Sequence, residues 1–159
     1  MRELVRRRID WIDTAPVAIE ARGSTSAPPD AVFAVLADHE RWPEWFPNVR
    51  RVDVMGPTEG VGARRRVHVP GLVVEEEFIV WDPGERWAFT GTAARPGFVR
   101  SIVEDCRLTP TGAGGTDVAY TMYLEPTGIF RPLTRVGKGV VRTSIAKALV
   151  GLAARAEGR

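Results

Sequence analysis

The chain has 159 residues, 44% apolar and 26% charged, with 22 Lys and Arg against 20 Asp and Glu and a net charge of +2. Those proportions exclude a disordered or collagen-like chain and suit one soluble globular domain, residues 1–159, rather than two. No run approaches the ~20 apolar residues of a membrane-spanning helix. The basic start MRELVRRRID lacks the apolar stretch of a secretory signal, and the single cysteine, Cys106, has no partner for an internal disulfide, so a cytoplasmic setting is expected.

Residues 1–12 read as an N-terminal arm carrying Arg2, Arg6, Arg7 and Arg8. Such an arm, with Leu4, Val5 and Trp11 among its arginines, is either a frayed terminus or a weak contact for an anionic membrane surface. Basic residues interleaved with aromatics are missing, so nucleic acid is not an expected partner. Residues 16–25 alternate imperfectly and form a first strand. Residues 27–52, APPDAVFAVLADHERWPEWFPNVRRV, follow. A proline at the first helical position opens a short helix over 29–37. A second short helix or turn covers 40–45, and Pro43 and Pro47 break it and stiffen its exit. Its aromatics, Trp42, Trp45 and Phe46, suit a lid or wall at the mouth of a cavity.

Strands are expected over 49–55, 62–69, 72–81, 86–92, 98–108 and 116–125. They are punctuated by Gly56-Pro57, Pro70-Gly71, Asp82-Pro83-Gly84, Pro96-Gly97 and the glycine-rich loop 111–115. Alternation divides each strand into two faces. In 72–81 the inward face carries Leu72, Val74, Glu76, Phe78 and Val80, and in 98–108 it carries Phe98, Arg100, Ile102, Glu104, Cys106 and Leu108. The last strand turns Val118, Tyr120, Met122 and Leu124 inward. With Val67 and Val69 inward, Arg65 joins that face while Arg64 and Arg66 are solvated.

After Pro126 the apolar period becomes helical. Ile129, Leu133, Val136, Val140, Val141, Ile145, Ala148, Leu149 and Leu152 form one stripe of a long helix over about 129–156, ~37 Å in length. Gly137, Gly139, Ser144 and Ala146 lighten its middle, which leaves room for a ligand or a kink. Consecutive hairpins give an antiparallel sheet, and the long helix is the one large partner for its apolar face.

This order of elements resembles the START-like helix-grip superfamily. The resemblance rests on PPDAVFAVLADHERWPEWFPNVRRVDV, GVGARRR, EEFIVWDPGERWAF and LTPTGAGGTDVAYTM, and points most to the bacterial polyketide cyclase/dehydrase and lipid-transport branch. It implies an α+β fold: a seven-stranded antiparallel sheet curved around the C-terminal helix, two short helices after the first strand, and a hydrophobic cavity between. Such a cavity would be lined by Trp45, Phe46, Phe78, Phe89, Met122, Val136 and Val140, with Glu76, Arg100, Glu104 and Tyr120 as its polar points.

Buried charges are costly unless paired, so Glu76, Arg100 and Glu104 need a reason. They form either a polar floor that fixes a ligand or a structural Arg–Glu network. Cys106 reads as an inert buried thiol, and His39 and His68 have no visible catalytic partner. No cluster has metal-ligand spacing and GVGARR is too short for a phosphate loop, so neither metal nor cofactor is expected. Three functions fit. The first is binding or transport of a lipophilic small molecule. The second is a polyketide cyclase, aromatase or dehydratase, with Glu76 or Glu104 as base and Arg100 stabilising an enolate. The third is a regulatory protein held at a membrane surface by its basic arm.

Overall fold

The computed structural model describes residues 1–128 and 131–159, with every side chain in them except those at 131 and 133–136. The elements are β1 (Arg2–Glu3), a 3-10 helix (Ile9–Thr14), β2 (Val17–Thr25), α1 (Pro29–Ala37), a second 3-10 helix (His39–Glu44), β3 (Arg51–Val54), β4 (Arg64–Val69), β5 (Leu72–Asp82), β6 (Arg86–Arg95), β7 (Val99–Pro110), β8 (Thr116–Pro126) and α2 (Arg131–Ala156). The strands form one antiparallel sheet in the order β2-β8-β7-β6-β5-β4-β3, with β1 added on β6. This is the expected α+β helix-grip arrangement, extended by β1. The hairpin links carry it: Gly71, at φ +76°, closes the Pro70-Gly71 turn between β4 and β5, a backbone region that side chains with a Cβ rarely adopt.

The inner face of the sheet meets α1, the second 3-10 helix and α2. Ile145, Ala148, Leu149 and Leu152 are the buried stripe of α2, which lies chiefly along β2 and α1. Two glycines set how close it comes. A Cβ on Gly23 would sit 3.2 Å from Leu149 Cβ, and one on Gly151 would fall against the Trp45 carbonyl oxygen. The last turn is tied down by Glu157, whose carboxylate accepts from Thr25 Oγ1 (2.7 Å) and from the Ser26 backbone N–H (2.9 Å). These bonds, with those from Arg159 and the Ser26 hydroxyl, pull its pKa down to about 2. In an open helix, Gly→Ala stabilises by up to about 1 kcal/mol. We expect that sign at Gly139, where a Cβ would meet nothing within 4 Å, and the opposite at Gly151, where overpacking costs about 1–3 kcal/mol. Thermal denaturation checks this: Tm should rise for Gly139→Ala and fall for Gly151→Ala.

Four expectations are corrected. The N-terminal arm is not a frayed terminus: Leu4 is 7% exposed, and Arg7 is ion-paired to Glu125 at 2.7 Å. The arm gains backbone partners in the sheet, which a free terminus would lack. Arg100 points out to solvent, 62% exposed, beside Glu125. A register shift between Val99 and Ser101 turns it away from the face it shares by simple alternation with Glu104. A second shift, between Phe78 and Val80, brings Trp81 onto the core face against Phe33 and Phe78 in place of Val80. Val140 is 73% exposed on α2: the helix buries the stripe through Ile145, Ala148 and Leu152, and Val140 falls outside it. The stripe residue Ile129 and the Leu133 and Val136 side chains lie outside the described residues.

Candidate functional site

Four strands and the first helical layer converge on a group of polar side chains inside the core. β4 contributes Arg65, β5 Glu76, β7 Glu104, β8 Tyr120 and the second 3-10 helix His39; all five are buried. The register accounts for part of this. Arg65 is directly opposite Glu76 across β4 and β5, and Tyr120 pairs with Cys106 across β7 and β8, next to Glu104 on the same face.

Arg65 is the centre. It is wholly buried and donates from Nε to Glu76 Oε2 at 2.6 Å and from Nη1 to His39 Nδ1 at 3.0 Å. Because Nδ1 accepts, His39 carries its proton on Nε2 and donates it to the Thr58 carbonyl at 3.0 Å. The guanidinium lies 3.8 Å over the Trp42 ring, with Phe78, Phe89 and Trp87 between 5.1 and 5.4 Å. Such faces stabilise a desolvated cation. Its remaining nitrogen, Nη2, is buried with no hydrogen-bond partner among the described residues.

Burial strips charge from two members of this cluster. Burial, and then the neighbouring Arg65 charge, push His39 down to about 3, so it is uncharged. Burial and the nearby Glu76 push Glu104 up to about 8, so its carboxyl keeps a proton at neutral pH. The Tyr120 hydroxyl donates to Glu104 Oε2, and its own pKa is raised by burial and by that carboxyl. Burial also raises Glu76, while Arg65 pulls it back. Arg65 and Glu76 remain in contact at 2.6 Å, each the other's partner, which is the arrangement a dry interior tolerates.

The sequence-derived residues divide clearly. Glu76, Phe78, Phe89, Glu104 and Tyr120 come together here. Trp45 and Phe46 form an adjoining aromatic wall with Trp42, at ring separations of 4.9 and 5.6 Å from it. Met122 is half-buried opposite Glu104. Arg100 and Val140 are absent from the site, as the corrections above require. Cys106 is wholly buried and pushed far up by that burial, an inert thiol as expected. Two members do more than the sequence suggests. Alternation puts Arg65 on the inward face, but nothing in it makes Arg65 the centre of the cluster. His39 reads as a lone histidine, because its pairing with Arg65 depends on tertiary contact alone. Trp45 is also shared with an open groove of about 240 Å3 between α1 and the end of α2, lined by Ala34, Val35, Asp38, Arg41 and Arg155. Among the described residues, no group of His, Cys, Asp and Glu could hold a metal ion, and no helix is long and apolar enough to cross a membrane.

Residues 17–157 match the family described as polyketide cyclase/dehydrase and lipid transport. Uncharacterized proteins of Mycobacterium tuberculosis and Mycobacterium bovis are 30% identical over 146 residues, covering 91% of this chain and 87% of theirs. Among solved structures, a Thermus thermophilus protein superposes with a TM-score of 0.74 at 25% identity, covering 89% of this chain and 98% of the other. The Zhui aromatase/cyclase from a Streptomyces species gives 0.74 at 21% identity, over 90% and 94% of the two chains. A START superfamily protein of Mycobacterium smegmatis gives 0.70 at 14%, over 89% and 97%. The last two likenesses are of fold.

Proposed function

The chain belongs to the polyketide cyclase/dehydrase and lipid-transport family, and from that premise we propose that it binds a lipophilic small molecule, lipid or polyketide-like, in the interior between the sheet and α2. One observation carries the reading: the unmatched Arg65 Nη2 donor inside an aromatic wall. A buried donor without a partner costs about 1–3 kcal/mol. An oxygen acceptor on an otherwise apolar ligand, a carbonyl or enolate, would remove that cost and be oriented by the guanidinium fork. The Trp87 indole N–H, also buried and unmatched, is a second donor in the same wall.

A second reading, a cyclase or dehydratase, is favoured by Glu104 and Tyr120. A carboxyl near pKa 8 beside a phenol is suited to moving a proton next to a carbonyl at neutral pH. In that chemistry Arg65, not Arg100, would stabilise the developing oxyanion.

Native mass spectrometry of the purified protein, with identification of whatever is released on denaturation, tests the binding reading. A stoichiometric lipophilic compound is expected, and it should be lost in Arg65→Lys, which keeps the charge beside Glu76 but removes the fork. If nothing lipophilic is released and none of a set of fatty acids, sterols and aromatic polyketides binds, the reading is wrong. Glu104→Gln separates the two readings: binding retained with conversion abolished makes the protein an enzyme.

A further inference from the structure

We propose that the seam between β6 and β7 is a side door to the interior, and that residues 2–7 are the strap that shuts it. The inference rests on the interior being the binding site, as proposed above.

β6 and β7 pair from Arg86–Arg107 to Thr90–Val103, and there their pairing stops. The N-terminal segment fills the opening. Arg2 and Glu3 pair with Ala94 and Ala93 on β6. The Leu4 N–H then donates to the Thr92 carbonyl (3.0 Å) and the Val5 N–H crosses to the Arg100 carbonyl of β7 (2.8 Å). Gly91 sits at the apex of the split, where a Cβ would press on Ile102 and lie 2.9 Å from Leu4 Cδ1. Leu4 is the plug. It is buried with Val74, Ala94 and Ile102, and Met122 and Leu124 pack on both this group and the main core. Met122 is opposite Glu104. The seam is therefore one layer of side chains from the polar cluster.

The strap is held differently from the rest of the sheet. Elsewhere neighbouring strands share longer ladders; β1 is two residues long. Beyond it, Arg6 is ion-paired to Glu77 on β5 at 3.0 Å, and Arg7 clips three strands together. Its N–H donates to Thr90 Oγ1 on β6 (2.9 Å), its Nε to Ser101 Oγ on β7 (2.9 Å) and its Nη2 to Glu125 on β8 (2.7 Å). The Arg7–Glu125 pair is about one quarter exposed on each side, so salt weakens it. An element with few ladder bonds and a partly solvated clip opens on its own while the surrounding ladders stay closed.

Glu3→Cys with Ala93→Cys places two thiols directly opposite one another in the antiparallel register, at a Cα spacing of roughly 4.5–5.5 Å that a disulfide spans. The native Cys106 is buried and does not compete. The probe is anilinonaphthalene sulfonate, followed by stopped-flow fluorescence. Oxidised protein is expected to take it up at least about tenfold more slowly than the same protein reduced, with an equal final signal, and Arg7→Ala faster than the parent. Equal rates for the oxidised and reduced forms would overturn the side door. Hydrogen exchange gives the second readout: the Leu4 and Val5 amides should exchange faster than those of Phe89 and Thr90. Equal protection in both pairs would overturn an independently opening strap. A protein that binds no probe in any form removes the interior site proposed above, while the exchange data still decide whether the strap opens.

Discussion

Arg65→Met is expected to destabilise the fold by about 3–5 kcal/mol. The cost is not the lost attraction itself. Glu76 is buried, and its carboxylate has Arg65 as its charged partner at 2.6 Å. Without the guanidinium it must either stay ionised in a dry interior or take up a proton. His39 Nδ1 loses its donor at the same time. Removing both charges avoids that penalty, so Arg65→Met combined with Glu76→Leu should recover most of the stability lost in the single variant. Urea unfolding at pH 7 of the parent, both singles and the double closes the cycle. If Arg65→Met costs less than about 1 kcal/mol, the ion pair is not what holds this part of the core.

The second large effect is a pH dependence set by Glu104. Its carboxyl is raised from 4.5 to about 8, first by burial and then by Glu76. Between those two values the native protein keeps the proton and the unfolded chain has given it up. At this group the unfolded state then binds fewer protons. Neutral His39 contributes the opposite slope below about pH 6.5, but the Glu104 contribution to stability falls as pH rises, by about 1.4 kcal/mol per pH unit across that window. This is opposite to a salt-bridged surface carboxylate, whose contribution grows with pH. Glu104→Gln removes the slope while keeping an acceptor for Tyr120. Urea midpoints at pH 7, 7.5 and 8, above the range in which His39 titrates in the unfolded chain, should decline in the parent and flatten in the variant. Parallel profiles in the two proteins would mean that Glu104 is already ionised when folded.

How much of this is legible in the chain depends on where simple periodicity holds. Period-two alternation places Val74, Glu76 and Phe78 of β5 on the inner face, with Glu104 and Tyr120 on their own strands, because their side chains alternate there as an undisturbed strand requires. It also turns Arg65 inward out of three consecutive arginines. It fails close to the irregularities at Val99 and Val80. A bulge adds a residue to one strand and reverses the side chains beyond it, and nothing in the letters around those positions announces it. Arg100 and Trp81 depart from alternation for that one reason. On α2 the stripe is readable but its phase is not: Val140 and Val141 are adjacent, and packing selects the half-buried second. His39 and the strap are beyond local reading altogether. A two-residue strand has no period, and the His39–Arg65 bond joins positions that meet only once the sheet is formed.

The pairing of β2 with β8 constrains how the molecule comes to be folded. The register joins residue 17 to residue 124 and residue 25 to residue 116, so the first long strand finds its neighbour after nearly all the others have been made. Closing so large a loop is entropically slow, and a topology dominated by such contacts folds on the millisecond-to-second scale rather than in microseconds. During synthesis the nascent chain carries β2 as an unsatisfied edge, its apolar residues Val17, Ile19 and Ala21 uncovered until β8 and α2 emerge. That interval is the aggregation-sensitive moment of this protein's life, and it ends only when the last strand and the last helix dock on the first strand together.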